Sequence, residues 1–412
     1  MKWEVKNEEW EVNNRKQETM RCRDWKAVTI LQGLLLVASA APAMAQGSVS
    51  DTLSFLLTNQ AVPTGDFTKD SQSAAVTRDT ITRLLAVELT TQPLSSSSGG
   101  FTYRFNPSLG TVERASNSFG PFFAERSLTA GRGRASLGVS LQYSKYTKLD
   151  SYTLNDGTFV TTASQFRDES QPFDVESLSL SLKTTTFNIL GNVGLTDRID
   201  VGVAVPVESL TLEGSRLNVY RGSQFLQATA TAEATGLGDI AIRGKVRLLG
   251  DRGSGLAVLE EVRLPTGSKE DLLGSGEASY RTVIVGSVEP GMFAANFNAG
   301  YTVGGVADQL DYRLSASLAV SAHVTLIGEL VGRRIDGIGA ISQERAPHPT
   351  IAGVDTVRLV TTGDSTDTNT IIAGAKWNVF KSWLVNGSVA VPVSSSGLRA
   401  DWSGLVGLEV TF

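Results

Sequence analysis

The sequence predicts an all-β fold, a transmembrane antiparallel up-and-down β-barrel of about 12 strands behind a short, partly helical N-terminal region. Three observations carry this expectation. Alternating segments recur throughout 134–412, the connections between them alternate short and long, and aromatic residues gather at the segment ends.

The alternation is clearest from Arg134 to Tyr146. Ala135, Leu137, Val139, Leu141 and Tyr143 point one way and Ser136, Gly138, Ser140, Gln142 and Ser144 the other, because strand side chains alternate with period two. Phe293–Thr302, Tyr312–Val320 and Trp402–Phe412 repeat the pattern. In all, strands are expected at 134–149, 178–194, 199–213, 236–249, 255–264, 278–288, 292–302, 310–320, 324–334, 370–378, 383–393 and 400–412. Three are imperfect. The second changes phase near Lys183, the sixth is apolar on both faces, and Glu260 falls on the apolar side of the fifth; a bulge would repair each.

Short turns (LTDR, GDRGS, EPG, SAH, VFKS) alternate with long connections at 150–177, 214–235, 265–277 and 335–369. Bacterial barrels have tight periplasmic turns and longer outer loops, and an even strand count leaves both barrel ends in the periplasm. With that orientation Tyr143, Tyr280, Tyr301, Tyr312 and Trp402 fall at outer strand ends, and Phe293, Trp377, Trp383 and Phe412 at inner ends. Those are two interfacial belts, which a soluble sandwich has no reason to form. The chain is therefore expected in the bacterial outer membrane. Its partners would be the outer-membrane lipid and the barrel-assembly machinery, the latter through the C-terminal strand ending at Phe412.

Residues 1–45 read as a signal peptide. Arg21, Arg23 and Lys26 precede the apolar run AVTILQGLLLVASAA, and Ala43-Met44-Ala45 offers small residues at a cleavage site, with Gln46 as the new N-terminus. A start at Met20 would leave an ordinary short basic region. The leader carries 7 of the 37 Lys+Arg and 6 of the 42 Asp+Glu, leaving 30 and 36, a net of −6 with no basic run. Nucleic acid is excluded as a partner on that count. The one cysteine, Cys22, lies in the leader, which removes disulfides, thiolate metal sites and a cysteine nucleophile from the remainder.

Residues 46–130 form a second region before the barrel at 131–412. Asp51–Val62 and Val76–Leu89 read as amphipathic helices, SSSSGG at 95–100 as a flexible break, and FTYRF at 101–105 as a strand or part of a plug. A periplasmic extension is the first expectation. A lumen-filling plug, or two extra strands making 14, are the alternatives.

No catalytic residue, metal site or cofactor is expected. The two histidines, His323 and His348, lie in a short turn and the longest loop, and His348 between Pro347 and Pro349 reads as solvated. The chemistry of interest is the charge expected in the lumen. Arg243, Lys245 and Arg247 alternate with Ile242, Val246 and Leu248, and folding the hairpin about Arg252 sets Arg243 opposite Glu261, with Arg263 beyond. Arg281, Arg313, Glu329, Arg333 and Glu409 are further inward candidates. They read either as an eyelet setting solute preference or as a ladder of ion pairs filling the barrel. The ladder is favoured because the signs interleave.

GLGDIAIRGKVRLL at 236–249, VRLPTG at 262–267, GSGEASY at 274–280 and GLTDRIDVGVAVPV at 194–207 together resemble the meta-pathway phenol-degradation family of outer-membrane "transporter" proteins. The resemblance covers most of 130–412. It implies a barrel and the passage of small, apolar or aromatic compounds. The functional expectation is thus a channel or facilitated transporter for small solutes. The alternative is a non-transport structural or surface-interaction barrel acting through its outer loops.

Overall fold

In the computed structural model the described residues are 47–61, 67–98, 100–106, 111–251 and 253–412. The signal peptide, with Ala43, Ala45 and Gln46, lies outside them. Residues 47–412 form one unit. Its helices are α1 (Val49–Thr58) and α2 (Ser71–Thr90), followed by a small hairpin, β1 (Tyr103–Asn106) with β2 (Thr111–Arg114).

The wall strands are β3 (Ala135–Leu149), β6 (Asp174–Gly194), β7 (Ile199–Tyr220), β9 (Ile240–Asp251), β10 (Ser254–Leu264) and β11 (Ser279–Val288). The ring continues through β12 (Phe293–Gly304), β13 (Gln309–Ala319), β14 (Val324–Asp336), β17 (Ser365–Phe380), β18 (Trp383–Pro392) and β19 (Leu398–Thr411). Each pairs antiparallel with the next, and β19 returns to β3, so 12 strands close an up-and-down barrel. At the seam the Phe412 N–H donates to the Ala135 carbonyl at 2.8 Å. Closure leaves no edge, and every strand satisfies its backbone within the ring, as a lipid-embedded wall requires.

Above the outer ends the sheet continues as β4 (Tyr152–Thr153), β5 (Phe159–Phe166), β8 (Ser223–Leu237), β15 (Ala340–Pro347) and β16 (Val354–Thr362). β7 and β8 form one hairpin, β15 and β16 another, and β16 pairs with β5. Much of the sequence expected as loops at 150–177, 214–235 and 335–369 is therefore wall.

The bulge expected at the phase change in β6 is absent. Pairing with β3 and β7 runs without a slip, and the inward face is Leu178, Leu180 and Leu182, then Thr184, Thr186 and Asn188. What inverts is the surroundings. Toward the inner end the outward residues of β6, Phe187, Ile189 and Val193, are apolar and the inward ones polar. Toward the outer end the outward residues are Ser177, Ser179 and Ser181, and the leucines turn inward. β7 does the same, with Val201–Val207 outward below and Leu210 and Leu212 inward above. The inversion crosses the three strands on one rung, Tyr143 opposite Thr185 and Thr185 opposite Ser209. Below it the wall faces lipid outside and polar groups inside. Above it water lies outside, and the wall encloses an apolar core.

All nine belt aromatics lie on the outward face, from Tyr312 at 36% exposed to Phe412 at 64%. With the outward apolar band between them, interrupted at Glu260 and Thr282, they set the chain across the bacterial outer membrane. Glu260 faces outward with the lipid-facing residues, and no slip in the β10–β11 pairing removes it. It accepts hydrogen bonds from Tyr280 Oη at 2.6 Å and Thr282 Oγ1 at 2.7 Å. The one register shift of β10 is in its pairing with β9, at Leu256/Ala257, away from Glu260. β11 is apolar on both faces because Val283 and Val285 pack inward with Ala257 and Leu259.

The orientation makes a direct expectation. Single cysteines at Asp156 and Asp364, both exposed on the outer connections, should react with a membrane-impermeant thiol reagent on whole cells. A cysteine at Asp197, in a short turn, should not. The reverse pattern would overturn the orientation.

Candidate functional site

The candidate site is the lumen, and the N-terminal region fills it. The expected periplasmic extension is instead a segment running from the outer end of the barrel to the inner end. The reason lies in what it buries. α1 begins at Ser48, whose hydroxyl accepts the Asp51 N–H at 3.0 Å while Asp51 accepts the Ser48 N–H, a capping box. α2 begins at Asp70, whose carboxylate accepts from the Gln72 and Ser73 N–H groups. Leu53, Leu56 and Leu57 of α1 and Ile81, Leu84 and Leu85 of α2 are buried against the inward leucines of β6 and β7. At this core Gly214 is a close approach: a Cβ there would stand 2.5 Å from Leu56 Cδ1.

His348 belongs to this outer part, and the expectation of a solvated loop residue does not hold. It is 6% exposed. Its Nε2 lies 2.8 Å from the Thr68 carbonyl, and its Nδ1 accepts the Thr350 and Ile351 N–H groups at 3.2 Å. His323 remains exposed in its turn.

Below α2 the chain loses regular structure inside the membrane-spanning wall, so its backbone groups need partners there. The inward side chains supply them. Arg243 donates to the Ser95 carbonyl at 2.7 Å, Arg263 to Gln92 at 3.2 Å, Arg333 to Thr91 at 3.1 Å, Arg313 to Phe123 at 2.6 Å and Lys376 to Pro121 at 3.2 Å. Glu329 accepts the N–H groups of three successive residues, Phe122, Phe123 and Ala124, the last two at 3.0 Å. Asn298 brackets Glu125, accepting its N–H at 2.6 Å and donating to its carbonyl at 2.9 Å. Ser95–Ser98, expected as a flexible break, is tied in by Glu125, which accepts from Ser97 and Ser98. β1 and β2 form a separate two-stranded sheet beside the inner end and add nothing to the ring. Arg114 there donates to the Ala322 carbonyl in the β13–β14 turn.

The charges also pair with one another. Glu261 stands opposite Arg243 in register, as the hairpin folding required, and accepts from Arg243 at 2.6 Å and Arg263 at 3.0 Å. Arg281 grips Asp311 through two nitrogens at 2.8 and 2.5 Å, with Arg313 3.6 Å from the same carboxylate. Lys245 sits 3.4 Å from Glu125 of the plug and 4.0 Å from Asp200, and Arg333 holds Glu88 at 2.7 Å. Arg247 lies toward the inner turn. Burial of isolated charges is costly, and Arg243, Lys245, Glu261, Arg263, Arg281, Arg313, Glu329 and Arg333 each meet an opposite charge or a plug backbone group. The sequence missed the plug as the partner, because backbone carbonyls and N–H groups leave no signature in residue types.

The remaining arc is different. The inward residues of β3 and β6 at membrane depth are Ser136, Gly138, Ser140, Gln142, Ser144, then Thr184, Thr186, Asn188, Leu190 and Asn192, none of them charged. Here the plug stands off from the wall. Three small cavities of about 50, 40 and 110 Å³ lie along the face, reaching β3 at Ser136–Ser140, at Gln142, and at Gln142–Tyr146 respectively. The second and third share Gln92, Pro93 and Gln142.

No protein-family model matches the chain, and no curated protein matches it. Among solved structures it is similar to an outer membrane channel from Pseudomonas putida F1, at 12% identity and a TM-score of 0.43 over 69% of this chain and 98% of that one. It is also similar to the transport unit of an Escherichia coli autotransporter (11%, TM-score 0.36, 68% and 90%) and a toluene transporter from Ralstonia pickettii (10%, 0.27, 68% and 90%). The account of the wall rests on its own strand pairing.

Proposed function

We propose that the protein is a channel or facilitated transporter for small solutes, non-enzymatic and without a cofactor, in which solute passes beside a resident plug. The row of cavities between plug and wall carries this reading. A barrel serving only as a surface scaffold needs a filled lumen, whereas this one is filled on the charged arc and loose on the uncharged one. We place its assembly under the barrel-assembly machinery, with the strand ending at lipid-facing Phe412 as the recognised element.

The test is solute entry into liposomes holding the purified mature chain, with the heat-dependent mobility of a folded barrel as the check on insertion. Entry above that of protein-free liposomes is expected. Folded, inserted protein that admits neither ions nor small neutral solutes would leave the outer connections as the functional surface, and the transport reading would fall.

A further inference from the structure

The uncharged face carries an observation beyond its shape. Ser140 and Asn188 are directly opposite each other on β3 and β6, and they are 7% and 5% exposed. Neither Ser140 Oγ nor Asn188 Oδ1 has a hydrogen-bond partner among the described residues, and Asn192 Oδ1 has none either. Ser140 and Asn192 line the innermost of the three cavities and Asn188 the next one outward. Buried polar groups are almost always paired, and leaving one unpaired is costly. Each oxygen is enclosed, but its residue borders the space between plug and wall, so a change of rotamer would present it to a small molecule that brings its own donors.

We propose that the permeating solutes are uncharged and hydroxyl-bearing, small polyols in class, and that they cross along the β3–β6 face, handed between Asn192, Ser140, Asn188 and Gln142. The inference rests on the transport reading above. Serine hydroxyls and carboxamides both donate and accept, which suits a hydroxyl that does the same. An apolar compound would leave the three oxygens unpaired. The charges that border the path discriminate against ions. Arg243 and Lys376 reach the inner cavity but are engaged by Glu261 with the Ser95 carbonyl and by the Pro121 carbonyl. Glu409 accepts from the Gly100 N–H, and Glu208, Asp239 and Arg263 line the next cavity, so charges of both signs border the path and neither sign dominates it. The plug need not leave, because the side chains that hold its irregular backbone at membrane depth, Arg243, Arg263, Arg313, Glu329, Arg333 and Lys376, stand on the other arc.

The experiment compares swelling rates of liposomes carrying the mature chain in isosmotic glycerol, erythritol and potassium gluconate. Both polyols should enter faster than gluconate. Ser140→Trp, which fills the inner cavity, should slow erythritol about tenfold while the barrel still shows heat-dependent mobility, since a lumen substitution alters passage rather than insertion. Asn188→Asp places a carboxylate on the face with little change of volume. It should slow erythritol and raise cation over anion preference, and it keeps the test decisive if the tryptophan variant does not fold. Three results would overturn the proposal. One is wild-type entry that Asn188→Asp or a folded Ser140→Trp leaves unchanged, which moves the route elsewhere. Another is gluconate faster than erythritol. The third is selective entry of a small apolar compound such as benzene over both polyols. No entry of any solute into liposomes with folded protein is the separate failure of the transport reading itself.

Discussion

Replacing Glu329 by alanine is expected to detach the plug from the wall around Phe119–Arg126 while leaving the barrel closed. The carboxylate accepts three consecutive backbone N–H groups, and no neighbouring side chain reaches all three. Each buried donor left without an acceptor costs about 1–3 kcal/mol, more than one hydrogen bond contributes when made. The wall strands do not depend on these bonds, so heat-dependent mobility should persist. Amide hydrogen exchange at 119–126 should rise by at least an order of magnitude, because about 1.4 kcal/mol is already tenfold in an opening equilibrium. Glu329→Gln keeps one acceptor oxygen and should fall between. Exchange at these residues no faster than in the unaltered protein would show that the plug is held elsewhere.

The second large effect contrasts adjacent residues on β9. Val246 is 41% exposed on the lipid face, whereas Lys245 is 1% exposed between Glu125 and Asp200. Val246→Arg puts a charge into lipid, at about 2–4 kcal/mol near the bilayer centre and less toward the interfaces. The inserted fraction on refolding into liposomes should fall. Lys245→Glu spares the lipid face but gathers three carboxylates at one point, and breaking a buried pair costs about 3–5 kcal/mol. It should insert, with segment 125–130 newly open to protease from the inner side. Equal insertion of Val246→Arg and the unaltered chain would mean that the β9 register is wrong.

These contrasts could be written from the sequence because period-two alternation assigns a face to every residue of a wall strand. The twelve strands, their short turns and the Arg243–Glu261 pairing follow from it, as do the inward directions of the lumen charges. What failed was the assumption of one solvent around the whole wall. The phase change at Lys183 looked like a defect in β6 and is a boundary between lipid and water. The helix starts were misplaced for a simpler reason: Ser48 and Asp70 carry the capping chemistry, and apolar spacing alone starts the helices later. The position of 46–130 was not legible, because its lower half is held by backbone groups whose partners could have been water. Its upper half was closer to legible. Apolar helical faces in an exported chain have to be buried somewhere, and the inverted leucines of β6 and β7 are where.

The plug has a further property that follows from how it is strung. At its outer end are two packed helices, enclosed by the β7–β8 and β15–β16 hairpins, and at its inner end it continues through Gly131–Arg134 into β3. Pulled inward, it would have to drag that helical knot past the charged part of the lumen; pulled outward, it is moored to the wall it would have to leave. It is a bead on a string threaded through a ring whose first and last strands, β3 and β19, meet at one clasp. The arrangement therefore calls for the bead to be in place before the clasp shuts. A molecule whose seam has closed without it would have no route by which to acquire it.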